Sequence, residues 1–116
     1  MRYIALIYQD DQDHATWSQE ELAAEQQAYM AFGTEKENFL VGQGVAAMPS
    51  NTATTVRVRN GKTQRTDGPV TLTKEQYCGH YLLNCRNLDE ALEVAAKIPS
   101  AKNGAVEIRP IVEFES

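Results

Sequence analysis

The chain has 116 residues, of which 42% are hydrophobic and 23% are charged, with a net charge of −5 at pH 7. This size and composition predict a single domain over residues 1–116 and exclude a disordered tail or a disulfide-dense miniprotein. The acidic balance argues against nucleic-acid binding, and no apolar run approaches the length of a membrane span, so we expect a cytoplasmic protein.

The first 40 residues predict a strand followed by a long helix. Residues 2–8 form a β-branched and aromatic run that is apolar on both faces, which is typical of a strand covered on both sides. Ser18 and Glu21 form a capping box, and the helix that they begin is predicted to end near Leu40. The predicted apolar face of this helix carries Leu22, Ala28, Tyr29, Phe32, Gly33, Phe39 and Leu40. The acidic residues on the helix are expected mostly to be solvated, and they include Glu20, Glu25, Glu35 and Glu37.

A β-hairpin is the clearest local prediction. Asn60-Gly61 lies between the β-prone runs 54–59 and 62–66. Asn-Gly is the preferred type I′ turn because both of its central residues need a positive φ. The sequence Asp67-Gly68-Pro69 then ends the second arm.

The remaining elements complete a predicted α+β fold. They are a strand at 79–85, a helix that begins after Asn87 and ends at Pro99, and an alternating strand at 105–114. Two β-α-β units in tandem predict a ferredoxin-like sandwich with an added hairpin and both helices on one sheet face. Because the first strand is apolar on both sides, we expect a second copy to cover the other face in a homodimer.

Three polar side chains are predicted to share the sheet face opposite the helices: His80, Glu107 and Arg109. Such a histidine, oriented by a carboxylate, is a candidate catalytic base near neutral pH, and Arg109 is a candidate for binding substrate charge. The alternative for His80 is a partly buried structural histidine that is bonded to a neighbour.

Three further candidates come from the charge pattern. Residues 41–74 contain five basic residues and one acidic residue, Asp67, which is a candidate catalytic acid or base. Its alternative role is to form the turn before Gly68. Lys74 is a candidate for binding a small anion, and the alternative is that this basic stretch is a solvated hairpin. His14, between three aspartates and the helix entry, is a candidate edge of a substrate pocket or an exposed loop histidine.

Cofactor and metal motifs are missing from the sequence. It contains no phosphate-binding glycine loop, Gly-x-Ser-x-Gly or His-Glu-x-x-His pattern. Cys78 and Cys85 lack metal-ligand spacing, and on one strand they would lie too far apart for a disulfide. We therefore expect reduced thiols, no metal and no cofactor.

Seven segments spread over the chain form a recognisable set: TATTVRVR at 52–59, TDGP at 66–69, TKEQ at 73–76, GHYLL at 79–83, LDEA at 88–91, AKIP at 96–99 and VEIRP at 106–110. Together with the opening strand they resemble the YCII-related proteins, specifically the DGPF branch, whose signature ends in Phe where this chain has Val70. The resemblance implies a dimeric α+β barrel built on a ferredoxin-like fold. Asp67 matches the signature directly.

The resemblance implies two classes of function. A few relatives act on small aromatic or ring-cleaved compounds, which implies a small-molecule enzyme of lyase, isomerase or dehalogenase-like type with a pocket at the dimer sheet face. The alternative is a non-catalytic ligand-binding or regulatory dimer, in which the same residues hold a ligand or the interface.

Overall fold

An antiparallel sheet of four strands organises the protein. The computed structural model describes residues 1–114 and contains β1 (Arg2–Asp10), α1 (Asp11–His14), α2 (Gln19–Glu35), β2 (Val45–Ala46), β3 (Thr54–Arg59), β4 (Lys62–Asp67), β5 (Glu75–Asn84), α3 (Leu88–Ala95) and β6 (Ala105–Pro110). The main sheet has the strand order β2-β5-β1-β6, while β3 and β4 pair with each other in a two-stranded sheet. All of these pairings are antiparallel, so the predicted α+β class is confirmed.

One face of β1 forms the centre of the hydrophobic core. Tyr3, Ala5 and Ile7 alternate along the strand and are buried, as is Leu83, which lies opposite Tyr3 on β5. The helices cover this face, because the same cluster contains Phe32 of α2 and the α3 residues Ala91, Val94 and Ala95. Burial of a large apolar side chain contributes about 1.5–3 kcal/mol, which makes this face the main source of stability.

The opposite sheet face is only half-buried. It carries Ile4, Leu6 and Tyr8 of β1, whose side chains alternate with the core residues. Strand register places Leu6 between His80 on β5 and Glu107 on β6. The shared face predicted for His80 and Glu107 is therefore present in the sheet.

The capping box of α2 is formed as predicted. The Ser18 hydroxyl accepts from the backbone N–H of Glu21, and the Glu21 side chain accepts from the N–H of Ser18. The helix ends at Glu35, earlier than predicted, because the chain leaves the helix to pair Leu40 with Leu83 of β5. Leu22, predicted to lie on the buried face, is 39% exposed.

A β-bulge on β5 changes which side chains share a face. Ile7 lies opposite Gly79, whereas the next residue, Tyr8, lies opposite Tyr77, so Cys78 is the extra residue. The bulge therefore puts Tyr77 on the same face as His80, three residues away. This strand starts at Glu75, four residues before the predicted start, and the sequence alone did not indicate the bulge.

The predicted hairpin is also formed. Thr54 pairs with Asp67 and Arg59 with Lys62, and Asn60 and Gly61 have φ values of 53° and 74°. Both turn residues are therefore in the left-handed region that a type I′ turn requires. The last strand is shorter than predicted and ends at Pro110.

Among residues 1–114, no helix is both long and apolar enough to cross a bilayer.

Candidate functional site

A cavity of about 530 Å³ lies on the helix-covered side of the sheet, near the edge strand β2. Its walls come from the end of β1, from α1 and α2, from the bulge of β5 and from the segment 44–49. The side chains that carry its chemistry are Gln9, Asp11, His14, Glu25, Tyr29, Cys78 and Ser100. The remaining walls are largely apolar, with Ile7, Ala15, Val45, Ala46, Ala47, Met48 and Pro49. This volume is in the range of small-molecule sites.

His14 and Glu25 form a hydrogen-bonded pair in the wall of this cavity. Nε2 of His14 lies 2.8 Å from Oε1 of Glu25. The side chains are only 27% and 18% exposed, respectively. The second oxygen of Glu25, Oε2, is buried and has no hydrogen-bond partner among the described residues. A buried acceptor without a partner costs roughly 1–3 kcal/mol.

The pair results from two consecutive helix caps. The Asp10 side chain accepts from the N–H groups of Gln12 and Asp13 and so begins the short helix α1, which ends at His14. Ser18 then begins α2, and Glu25 lies two turns into that helix, facing back towards α1. The His14 ring also packs against Trp17, with the ring centroids 4.6 Å apart.

Tyr29 and Ser100 form a second polar pair. Their hydroxyl oxygens are 2.5 Å apart, and the Ser100 hydroxyl donates to Oε1 of Gln9 at 3.3 Å. Burial is the main reason that the pKa of Tyr29 is raised to about 12, and the charge of Glu25 makes a smaller contribution. Tyr29 therefore stays a neutral phenol at physiological pH. Because the Ser100 proton is donated to Gln9, the phenol donates its own proton to Ser100, and its oxygen can still accept a hydrogen bond.

The bulged residue Cys78 supplies a protonated thiol. Its Sγ lies 3.4 Å from the carbonyl oxygen of Ile7. Burial raises the pKa of this thiol to about 11, with further contributions from the charges of Glu25 and Asp11. A thiol with this pKa carries almost no thiolate at neutral pH, which excludes Cys78 as an activated nucleophile in this state.

Close backbone contacts hold the outer wall of the cavity. Oδ2 of Asp11 accepts a hydrogen bond of 2.7 Å from the backbone N–H of Ser50, which also lowers the pKa of the Asp11 carboxyl. A Cβ atom at Gly79 would collide with the carbonyl oxygen of Val45, and one at Gly44 would collide with the Tyr81 ring. Glycine at both positions is therefore required for this segment to approach β5.

His14 is the one sequence-predicted site residue that lines the cavity. His80 lies on the other face of the sheet, where its Nδ1 is 2.7 Å from the Tyr77 hydroxyl. Arg109 donates to Oε2 of Glu107 at 3.1 Å on that same face, and the Tyr8 hydroxyl contacts Glu107 at 3.5 Å. The structure therefore brings His80, Glu107 and Arg109 to one face without a direct bond from His80 to the carboxylate.

Asp67 and Lys74 lie away from the cavity. Asp67 is the last residue of β4 and is exposed, and Lys74 is exposed in the loop before β5. The backbone N–H of Gly68 donates to the carbonyl of Ala53 at 2.8 Å, and the Thr55 hydroxyl donates to the Gly68 carbonyl. The residues after Asp67 thus close the base of the hairpin.

Glu25, Tyr29 and Cys78 line the cavity but were not predicted from the sequence as site residues. Helical spacing could have identified Glu25, because it precedes Tyr29 by four residues and Phe32 by seven and so lies on the core-facing side of α2. No sequence signal marks Cys78, because its orientation depends on the bulge.

The fold and the cavity define a small α+β domain with a paired histidine and carboxylate in an apolar pocket. Among the described residues, no group of three or more His, Cys, Asp or Glu side chains is arranged to hold a metal ion.

The chain belongs to the YCII-related domain family, which matches residues 1–115. It is also 35% identical to an uncharacterised protein of Rhizobium meliloti (strain 1021), over 99% of this chain and 95% of that protein.

Proposed function

We propose that this protein is a small-molecule enzyme that moves protons with His14 and Glu25. One observation carries the proposal: Nε2 of His14 is 2.8 Å from Oε1 of Glu25 in the wall of a cavity large enough for a small substrate. Histidine held by a carboxylate is a common arrangement for general acid–base catalysis.

The geometry favours Nδ1 of His14 as the base. An ionised carboxylate only accepts hydrogen bonds, so Glu25 holds the proton of the neutral imidazole on Nε2. Nδ1 then carries the lone pair and is the atom that takes a proton from a substrate. The imidazolium that forms is stabilised by the negative charge of Glu25, as in other histidine–carboxylate pairs.

The reaction class that fits these groups is isomerisation or elimination by proton abstraction. A C–H proton moves to Nδ1 of His14, and its electron pair enters an adjacent carbonyl or expels a leaving group from the neighbouring carbon. His14 then returns the proton to another atom of the substrate or to the leaving group.

A dehalogenase-like reaction that uses a thiolate has no support, because Cys78 stays protonated. Asp67, the catalytic candidate predicted from the sequence, is the alternative general acid or base. It is exposed at the end of β4.

Deuterium exchange tests this proposal without a known substrate. Small ketones and β-dicarbonyl compounds are incubated with the protein in D₂O, and exchange at carbon is followed by proton NMR. We expect exchange above the protein-free rate with the native chain and Asp67→Asn, and loss of at least about tenfold with His14→Asn or Glu25→Gln. Loss in Asp67→Asn with retention in His14→Asn would instead support Asp67.

A second experiment measures the protonation of the His14 ring in its pair with Glu25. Nitrogen-15 shifts of the histidine ring report the tautomer directly, and His80→Gln leaves one ring to observe. We expect a proton on Nε2 of His14 in the native chain and a mixed tautomer in Glu25→Gln. An unchanged tautomer in Glu25→Gln would show that Glu25 does not orient the ring.

We also propose that the fold is a ferredoxin-like sandwich that forms a dimeric α+β barrel. The strand order β2-β5-β1-β6, with α2 and α3 on one face and a β3–β4 insertion, supports the sandwich. The half-buried Ile4, Leu6 and Leu82 on the opposite face support its burial by a second copy. His80 and Glu107 already have partners there, which favours an interface role for that face.

Light scattering on the native 12.9 kDa chain tests the dimer. We expect twice the chain mass at micromolar concentration and a single-chain mass for Leu6→Lys. A native monomer at this concentration would contradict the dimer.

The free thiols of Cys78 and Cys85 support the proposed cytoplasmic location. The segment Thr66 to Pro69 supports membership of the DGPF branch within the family.

A further inference from the structure

The charges around the cavity are unbalanced. Its lining contains the carboxylates of Asp11 and Glu25, whereas none of the lining residues in the described chain is lysine or arginine. The Asp11 carboxylate is bonded to a neutral backbone N–H of Ser50, and Oε1 of Glu25 is bonded to His14. No positive side chain of fixed charge therefore neutralises either carboxylate within the cavity.

The basic residues lie on other surfaces. Ion pairs with arginine are formed by Glu113, Glu90 and Glu107, all outside the cavity. Lys102, by contrast, lines an adjacent groove of about 240 Å³, and Glu25 lines both this groove and the cavity. It forms no ion pair with Glu25 among those of the described residues.

The pKa values of two cavity side chains reflect this negative potential. The pKa values of Tyr29 and Cys78 are raised mainly by burial. The charge of Glu25 contributes to both shifts, and the charge of Asp11 contributes to that of Cys78. The same two effects oppose the entry of any anion. Tyr29 and Tyr81 also line the cavity, and aromatic faces attract cations.

We propose that the cavity selects an organic ammonium ion over a neutral molecule, and a neutral molecule over a carboxylate or phosphate, of the same shape. This substrate class rests on the proposed function, since it assigns the charge of the molecule on which His14 and Glu25 act. The negative charges of Asp11 and Glu25 in the cavity wall attract the ammonium group. The expectation of anion binding through Lys74 and Arg109 therefore does not extend to this cavity.

The thiol of Cys78 provides a probe of the potential inside the cavity. In a Cys85→Ser background, Cys78 is the remaining cysteine, and it lines the cavity. Its modification rate is measured with methanethiosulfonates that carry a trimethylammonium, a methyl or a sulfonate group. Each rate is divided by the rate of the same reagent with a free thiol in solution, so that only the effect of the protein remains.

We expect the corrected rate of the cationic reagent to exceed that of the anionic reagent by at least about tenfold at low salt. Glu25→Gln and Asp11→Asn should each reduce this ratio, while Glu107→Gln, a carboxylate on the opposite sheet face, should leave it unchanged. Lys102→Met should increase it. A ratio of one or below, a ratio insensitive to Glu25→Gln, or no modification by any of the reagents would overturn the inference.

Binding of a matched ligand series completes the test. Calorimetry compares 3-phenylpropylammonium, 3-phenylpropionamide and 3-phenylpropionate with the native chain. We expect the affinities to fall in that order, and the ammonium ion to protect Cys78 from modification. Tightest binding of the carboxylate would overturn the inference. These readouts do not involve proton transfer, so they can succeed even where His14→Asn leaves deuterium exchange unchanged and the catalytic proposal fails.

Discussion

Oδ2 of Asp11 accepts a hydrogen bond of 2.7 Å from the backbone N–H of Ser50, a residue 39 positions further along the chain. This bond joins the wall of the cavity formed by α1 to the wall formed by the segment 44–50. Asp11→Ala removes the acceptor and should lower the free energy of unfolding by about 1.5 kcal/mol, because the acceptor is a charged group that is partly exposed to solvent. Thermal denaturation measures this loss, and Gln12→Ala on the exposed side of α1 is the matched control.

The same bond predicts a pH dependence. The hydrogen bond to Ser50 lowers the pKa of the Asp11 carboxyl in the folded protein. The stabilisation it provides is therefore fully present above the unfolded pKa, near 3.9, and is lost as the pH falls through the lower folded pKa. The difference in melting temperature between the native chain and Asp11→Ala should shrink below about pH 4. A constant difference down to pH 2 would contradict an ionised Asp11 in this bond.

Tyr29→Phe removes the hydrogen bond to Ser100, and we expect it to cost about 1 kcal/mol at neutral pH. The folded pKa of Tyr29 is raised to about 12, so the stability that the neutral phenol provides is present below the unfolded pKa and lost as the pH rises through the folded value. The stability gap between the two proteins should therefore narrow above about pH 10. Denaturant titrations from neutral to alkaline pH measure this gap, with Tyr81→Phe as the comparison.

Cys78 should react slowly with thiol reagents. Its pKa of about 11, against an ordinary thiol value of 9.0, lowers the thiolate fraction at pH 8 by about a hundredfold. In Cys85→Ser, alkylation should be about a hundredfold slower in the folded protein than in urea, and it should accelerate with pH beyond pH 9. A rate equal to that of the unfolded chain would show that the bulge does not hold the thiol in the cavity.

The hairpin turn should tolerate substitution poorly. Gly61 has a φ of 74° and open space around its Cα, so Gly61→Ala should cost about 1 kcal/mol through backbone strain alone. Amide exchange in β3 and β4 should accelerate by about fivefold, while exchange in β1 should be unchanged. Gly33→Ala, in helix α2, should instead raise the free energy of unfolding, because the φ of Gly33 is not positive and a Cβ atom has room there.

Local sequence signals predicted the elements that depend on neighbouring residues. Ser18 and Glu21 cap α2, and Asn60 and Gly61 form the type I′ turn, because each motif satisfies its own backbone requirements. The helix end was less predictable, since Leu40 leaves the helix to pair with a strand more than forty residues away.

The candidate site depended on contacts that no short motif encodes. His14 was a candidate from sequence, but its partner Glu25 lies on a helix whose glutamates were expected to be solvated. The bulge at Cys78 shifts the alternation of β5, and such a shift arises from pairing with β1 rather than from residue type. The sequence could therefore not predict which side chains before Gly79 face the core.

The strands β3 and β4 pair with each other and not with the four-stranded sheet. We therefore expect the hairpin and the sheet to differ in local stability. A two-stranded hairpin is marginally stable by itself, whereas α2 and α3 pack on one face of the four-stranded sheet. We therefore expect the hairpin arm to open more readily than the four-stranded sheet and to be an early site of proteolytic cleavage. None of the described residues that line the cavity belongs to this arm, which makes it a natural site for inserting a label or a new recognition sequence.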